Sequence, residues 1–286
     1  MSDTPDLSHL PAAAAWLGTA LTRPKLVAAG CVMVLASLGW LTLAWLVAGM
    51  DEVASGASGV LPLPLQVLCG PLFGSYTAGA AVVPMWGAML LAMMLPTAGP
   101  MLLTYAEIAE TAARKGERIV SPLVLASGYS AVWAGFVIVA SAAQIMLTRV
   151  AFLDSTMAST SALLSGAIFI GAGLYQFTPL KHACLTQCQR PFPFFFAYWQ
   201  TTRAGVFRLG LTQGLYCLGC CWAMMLLMFA VGVMNVVWMA ALAIVMAVEK
   251  LGAGRLLSHV VGAILFFTGV AFLIAALVAH WPAVVA

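Results

Sequence analysis

Charge is the scarcest property of this chain. Asp, Glu, Lys and Arg supply 7% of its 286 residues, against about a quarter in an ordinary soluble domain. With 63% of its residues hydrophobic, the chain cannot cover itself with a water-compatible surface, which excludes a soluble globular protein. No nucleic-acid partner is expected. The first 25 residues (1–25, read as an N-terminal tail) lack the positively charged start and compact apolar centre of a cleavable signal peptide, so the first apolar run is expected to be retained. No CxxCH haem-attachment motif is present, and nothing resembles the nucleotide-binding and phosphorylated domains of a pumping ATPase. Of the seven cysteines only Cys69 falls in an expected outer loop, so a disulfide framework is not expected.

What the chain has instead is a series of apolar runs. Spans are expected near 26–50, 82–108, 121–147, 160–180, 209–232, 235–250 and 256–279, each of roughly the 20 residues that cross a bilayer core. The sixth is short enough to be tilted or re-entrant. The fold class is therefore all-α, a polytopic transmembrane bundle over 26–280; the runs are too long and too uniformly apolar for barrel strands. With seven crossings, eleven of the twelve basic residues fall on one side, Arg149 being the exception. The positive-inside rule makes that side cytoplasmic, with the N-terminus in and the C-terminus out. The expected setting is a cell membrane. The longest stretches outside the bilayer are 51–80, rich in Gly and Pro, and 181–208, a cytoplasmic loop carrying Cys184-x-x-x-Cys188. In the latter, PFPFFFAYWQ (191–200) reads as an interfacial aromatic belt.

Sulfur is concentrated. Half of the positions from 217 to 228 are Cys or Met (Cys217, Cys220, Cys221, Met224, Met225 and Met228), although the whole chain has seven Cys and sixteen Met. On a helix these six occupy an arc of roughly 140°. The second span places Met85, Met89, Met93, Pro96, Pro100 and Glu107 on one face at ideal spacing, and the sixth adds Met239, Met246, Glu249 and Lys250. In the expected orientation thioethers line the outer half. Cys184, Cys188, Cys217, Cys220, Cys221, His182, Glu107 and Glu249 gather in the inner half. Thioether and thiolate are soft ligands suited to Cu(I), and thiolate also suits Zn(II), which ranks second. Methionine survives an oxidising periplasm, and cysteine stays reduced toward the cytosol. The alternative for the stripe is packing, since small and flexible sulfur residues fill helix interfaces. Glu249–Lys250 is open to the same alternative, as snorkelling or paired charges.

AMMLP (92–96), KHACLTQCQRP (181–191), CLGCCWAMM (217–225) and GVMNVVWMAALAIVMAVEKL (232–251) together resemble an uncharacterised bacterial family of predicted metal-binding integral membrane proteins. The resemblance runs from about residue 80 to the last span. It implicates Met93, Met94, Lys181, Cys184, Cys188, Cys217, Cys220, Cys221, Met224, Met225, Met234, Met239, Glu249 and Lys250.

Three functions compete. The first is a soft-metal binder, copper before zinc, that stores, delivers or translocates the ion; its ligands would be drawn from Met89, Met93, His182, Cys184, Cys188, Cys217, Cys220, Cys221, Met224, Met225, Met228 and Glu249. Beyond the lipid bilayer it would use a metallochaperone or a membrane-complex partner. The second is a dithiol redox or haem-type electron carrier. The third is an assembly subunit whose sulfur does no chemistry.

Overall fold

The computed structural model describes residues 24–54, 78–150, 161–233, 235–252 and 254–285. The readings placed on most of the N-terminal tail, on 55–77 with Cys69, and on Met234 lie outside the described residues. All regular structure among the described residues is helical: α1 (Pro24–Ala54), α2 (Ala78–Arg114), α3 (Pro122–Arg149), α4 (Ala162–Tyr175), α5 (Pro179–Gln189), α6 (Pro191–Ala197), α7 (Arg203–Val231), α8 (Val236–Lys250) and α9 (Gly254–Val285).

Local chemistry fixes where the helices begin and end. Ser121, Ser161, Thr178, Thr202 and Asn235 each cap a helix, their side chains accepting from Leu123, Leu164, Lys181, Gly205 and Trp238 backbone N–H groups, donors the helix itself leaves unpaired. Pro122, Pro179 and Pro191 occupy first turns, where a missing N–H costs nothing. Gly232 and Gly252, at φ of 97° and 102°, turn the chain out of α7 and α8 in a conformation that other residues adopt at a cost.

Five helices are long and apolar enough to cross a membrane: Ala28–Val47, Val82–Arg114, Pro122–Arg149, Arg203–Val231 and Arg255–Val278. α4 and α5, bent by 64° at the break between them, would together make a sixth. Seven crossings were expected. The difference lies in α8, whose 15 residues extend about 22 Å, short of a hydrocarbon core of about 30 Å. The segment expected as a cytoplasmic loop is likewise structured: α5 lies along α7, and α6 puts Phe194 and Phe195 into the interior while Phe192, Phe196 and Tyr198 stay exposed. The aromatic run is thus half core and half surface.

α7 is the axis of the bundle. It packs against α3, α5, α4 and α8, while α2 joins α1, α3, α6 and α8, and α9 pairs with α4. The α3–α7 crossing is closed by paired glycines. A Cβ on Gly128 would stand 2.2 Å from the Phe207 carbonyl oxygen, and one on Gly210 equally close to that of Leu125; only Gly lets backbones meet so closely. The exterior is apolar, with Val34, Leu41, Ile138, Val139, Phe267 and Leu277 among its exposed side chains.

Candidate metal centre

The sulfur stripe of α7 faces the interior. Cys217, Cys220, Cys221, Met224, Met225 and Met228 are all at most 4% exposed, whereas Leu215 and Trp222 on other faces are 59% and 39% exposed. Sulfur is not buried indiscriminately: Met33 and Met146 lie open on the exterior, and Cys31 is exposed. Small Cys and pliant Met side chains inward with Leu215 and Trp222 outward is also what helix packing in a bilayer favours, so what distinguishes a ligand set is which donors meet.

Around Cys217 four helices converge. The Tyr129 hydroxyl of α3 hydrogen-bonds its sulfur at 3.1 Å, and the Lys250 ammonium at the end of α8 donates to it at 3.0 Å. Lys250 also donates to Thr97 Oγ1 at 2.9 Å and stands 3.9 Å from the Met94 sulfur, both on α2. The Met94 sulfur is in turn 3.9 Å from that of Cys221. From α5 the Cys188 thiol lies against those of Cys217 and Cys220. Cys184, one turn earlier, aims its sulfur at Gly219, where the lack of a side chain admits it. The α5 cysteines therefore share a face and meet the CxxCC run of α7, as i, i+4 spacing requires. A cavity of about 20 Å³ lies beside Cys188, Cys217, Tyr129, Thr97, Gln213 and Lys250, large enough for a single water or small ion.

The set does not stand ready-made. Among the described residues no three His, Cys, Asp or Glu side chains are gathered as a ligand cage. Cys220 and Cys221 donate their thiol hydrogens to the Cys217 carbonyl oxygen, at 3.1 and 2.9 Å, and Lys250 stands among the donors. All six described cysteines are free thiols. The donors fit a soft monovalent ion: several thiols and a thioether in a nearly dry site suit Cu(I), and no carboxylate takes part.

Glu249 is turned elsewhere. Its carboxylate is paired with the fully buried Lys181, at 2.7 and 2.9 Å, and accepts from Ser258 at 2.8 Å. Lys181 also donates to the Gln176 side-chain oxygen, and the Gln176 amide donates to the Met224 sulfur at 2.8 Å. This polar chain satisfies the buried charges and so explains Glu249 without a metal. His182 likewise faces outward from the cluster, packed edge-on against His259 with ring centroids 5.3 Å apart.

Beyond the thiols runs a column of thioethers. Met85, Met89, Met93 and Met94 of α2, Met224, Met225 and Met228 of α7, and Met239 and Met246 of α8 belong to one core, each at most 3% exposed. The antiparallel register of α2 and α7 is fixed at two levels, by Met94 near Cys221 and by Trp86 against Phe229, ring centroids 5.5 Å apart. Pro96, Pro100 and Glu107 do not continue the methionine face; all three are exposed. Ala98, Met101 and Tyr105 point inward instead, because the N-terminal half of α2 packs Ala88 and Ala92 on Gly39 of α1, whereas its C-terminal half meets Phe195 and Trp199.

The composition signalled the cysteines and methionines, and the end of the sixth span signalled Lys250 beside Glu249, but Tyr129, Thr97 and Gln176 carried no such signal, and only the family resemblance pointed to Met94. The architecture defines an all-helical protein with an apolar exterior and a buried, cysteine-rich, soft-donor centre. A family profile described as PpoB2, copper chaperone, matches residues 83–272, about two thirds of the sequence, and the chain belongs to that family. No curated protein matches it, and no solved structure does.

Proposed function

We propose that the protein is a membrane-embedded Cu(I) carrier of the cell membrane that takes up the ion at Cys217, Cys220, Cys221 and Cys188, with Met94 and Cys184 beside them, and passes it on. The observation that carries this reading is the convergence of thiols from α5 and α7 with a thioether from α2 on one buried point. Membership of a copper chaperone family supports it, and so do the five long apolar helices. Thiol exchange suits a carrier, because a soft ion moves between sulfur ligands one bond at a time without becoming free. The basic residues of Arg114–Arg118 and Arg190–Arg208 favour placing those segments in the cytosol.

The test is copper content. Reduced protein loaded with Cu(I) in detergent and freed of excess ion is expected to hold about one copper per chain, and Cys220→Ser/Cys221→Ser less than half as much. Equal copper in both proteins, or none in the wild type, overturns the reading.

A further inference from the structure

Among the donor atoms of the thiol cluster stands a cation that the protein supplies itself. The Lys250 ammonium is 3.0 Å from the Cys217 sulfur, 2.9 Å from the Thr97 hydroxyl and 3.9 Å from the Met94 sulfur. It therefore occupies the gap between the α2 thioether and the first α7 thiol, next to the Met94–Cys221 sulfur pair. The backbone that carries it is held. The Gln189 amide donates to the Glu249 carbonyl oxygen at 2.7 Å, and the Glu249 carboxylate is fixed by Lys181 and Ser258. The four-carbon arm of Lys250 is thus the part able to move. It is half-buried, and Leu251, the next residue, is 77% exposed, so the exterior is within the reach of one lysine side chain. Among the described residues, no three His, Cys, Asp or Glu side chains are gathered as a ligand set around it.

We propose that Lys250 is a stand-in for the cargo: its ammonium holds the Cys217 sulfur and keeps the donors apart until Cu(I) arrives, and ammonium and ion exclude each other. This deepens the copper reading and rests on it. The ammonium takes up a lone pair of the Cys217 sulfur and the space beside it, so an ion that binds that sulfur from the same side has to displace it. The returning ammonium lowers the affinity of the site and gives the ion a route of release, which a protein that must surrender its cargo needs.

The experiment uses the full-length, reduced protein in detergent. Brief acylation with a water-soluble succinimidyl ester, read residue by residue by mass spectrometry, is expected to modify Lys250 at least fivefold more with Cu(I) bound than without, while Lys181 stays unmodified in both. In competition with a chromophoric Cu(I) chelator, Lys250→Leu, which brings no donor atom, is expected to bind Cu(I) at least tenfold more tightly, and Lys250→Arg to stay within threefold of the wild type. Copper binding with Lys250 acylation unchanged, or a Lys250→Leu affinity no higher than wild type, overturns the stand-in while leaving the copper reading intact. A wild type that binds no Cu(I) overturns both. Should Lys250→Leu fail to fold, the wild-type acylation decides alone.

Discussion

At Gly219 an added Cβ would stand 2.7 Å from the Cys184 sulfur, nearer than side-chain carbons come to their neighbours. The obstructing atom is the end of a rotatable side chain, so alanine there moves the thiol rather than the helices. Gly219→Ala is accordingly expected to weaken Cu(I) binding three- to tenfold, about 1 kcal/mol, with little change in thermal unfolding. Cys184→Ala should produce a similar loss, and the double variant should lose no more than either single one, since both act on one contact. Additive losses in chelator competition would show that Gly219 matters for another reason. This contact was not legible in the sequence, because Gly219 sits in a helical run where glycine reads as a weakness or a packing residue; its use depends on a cysteine 35 positions away.

Among the elements, the α5–α8 junction carries the greatest electrostatic stake. Lys181, 0% exposed, and Glu249, 3% exposed, face each other, and removing one partner leaves the other charge buried alone, a loss of about 3–5 kcal/mol in comparable sites. Lys181→Met is expected to lower the thermal midpoint in detergent sharply, and Lys181→Met/Glu249→Gln to recover most of it, as two neutral groups need no counter-charge. A double variant as unstable as the single would assign the effect to lost packing. Helix existence was legible because apolar runs are long and the caps are polar. The α4–α5 break at Gln176–Phe177–Thr178–Pro179 was written in a Thr-Pro capping signal, yet the apolar run on either side masks it. The short α8 was readable from its length. The partner of Glu249 was not, since pairing across 68 residues leaves no local trace.

At the scale of the whole molecule, thiols and thioethers divide along one axis. The α7 stripe was legible as i, i+3, i+4 spacing, and its inward orientation follows from the crowding of α7 by four neighbours. The rotation of the buried face along α2 escaped ideal spacing because different helices pack on its two halves, which is why Met94 rather than Pro96 reaches the cluster. The resulting column, from Cys217 through Met94 and Met224 to Met85 and Met228, joins the thiols to the end of α7 farthest from Arg203. If that column conducts the ion, its thioethers act as exchange partners and their hydrocarbon shape alone is insufficient. Leucine nearly preserves the volume of methionine at a cost usually below about 1.5 kcal/mol per site, so Met89→Leu/Met228→Leu removes donors while keeping the fold. Copper held at the thiols should stay at wild-type content, whereas transfer of Cu(I) across vesicles containing the protein should slow at least fivefold. Equal transfer rates would reduce the column to packing and leave the cysteine cluster as a store loaded and emptied from one side.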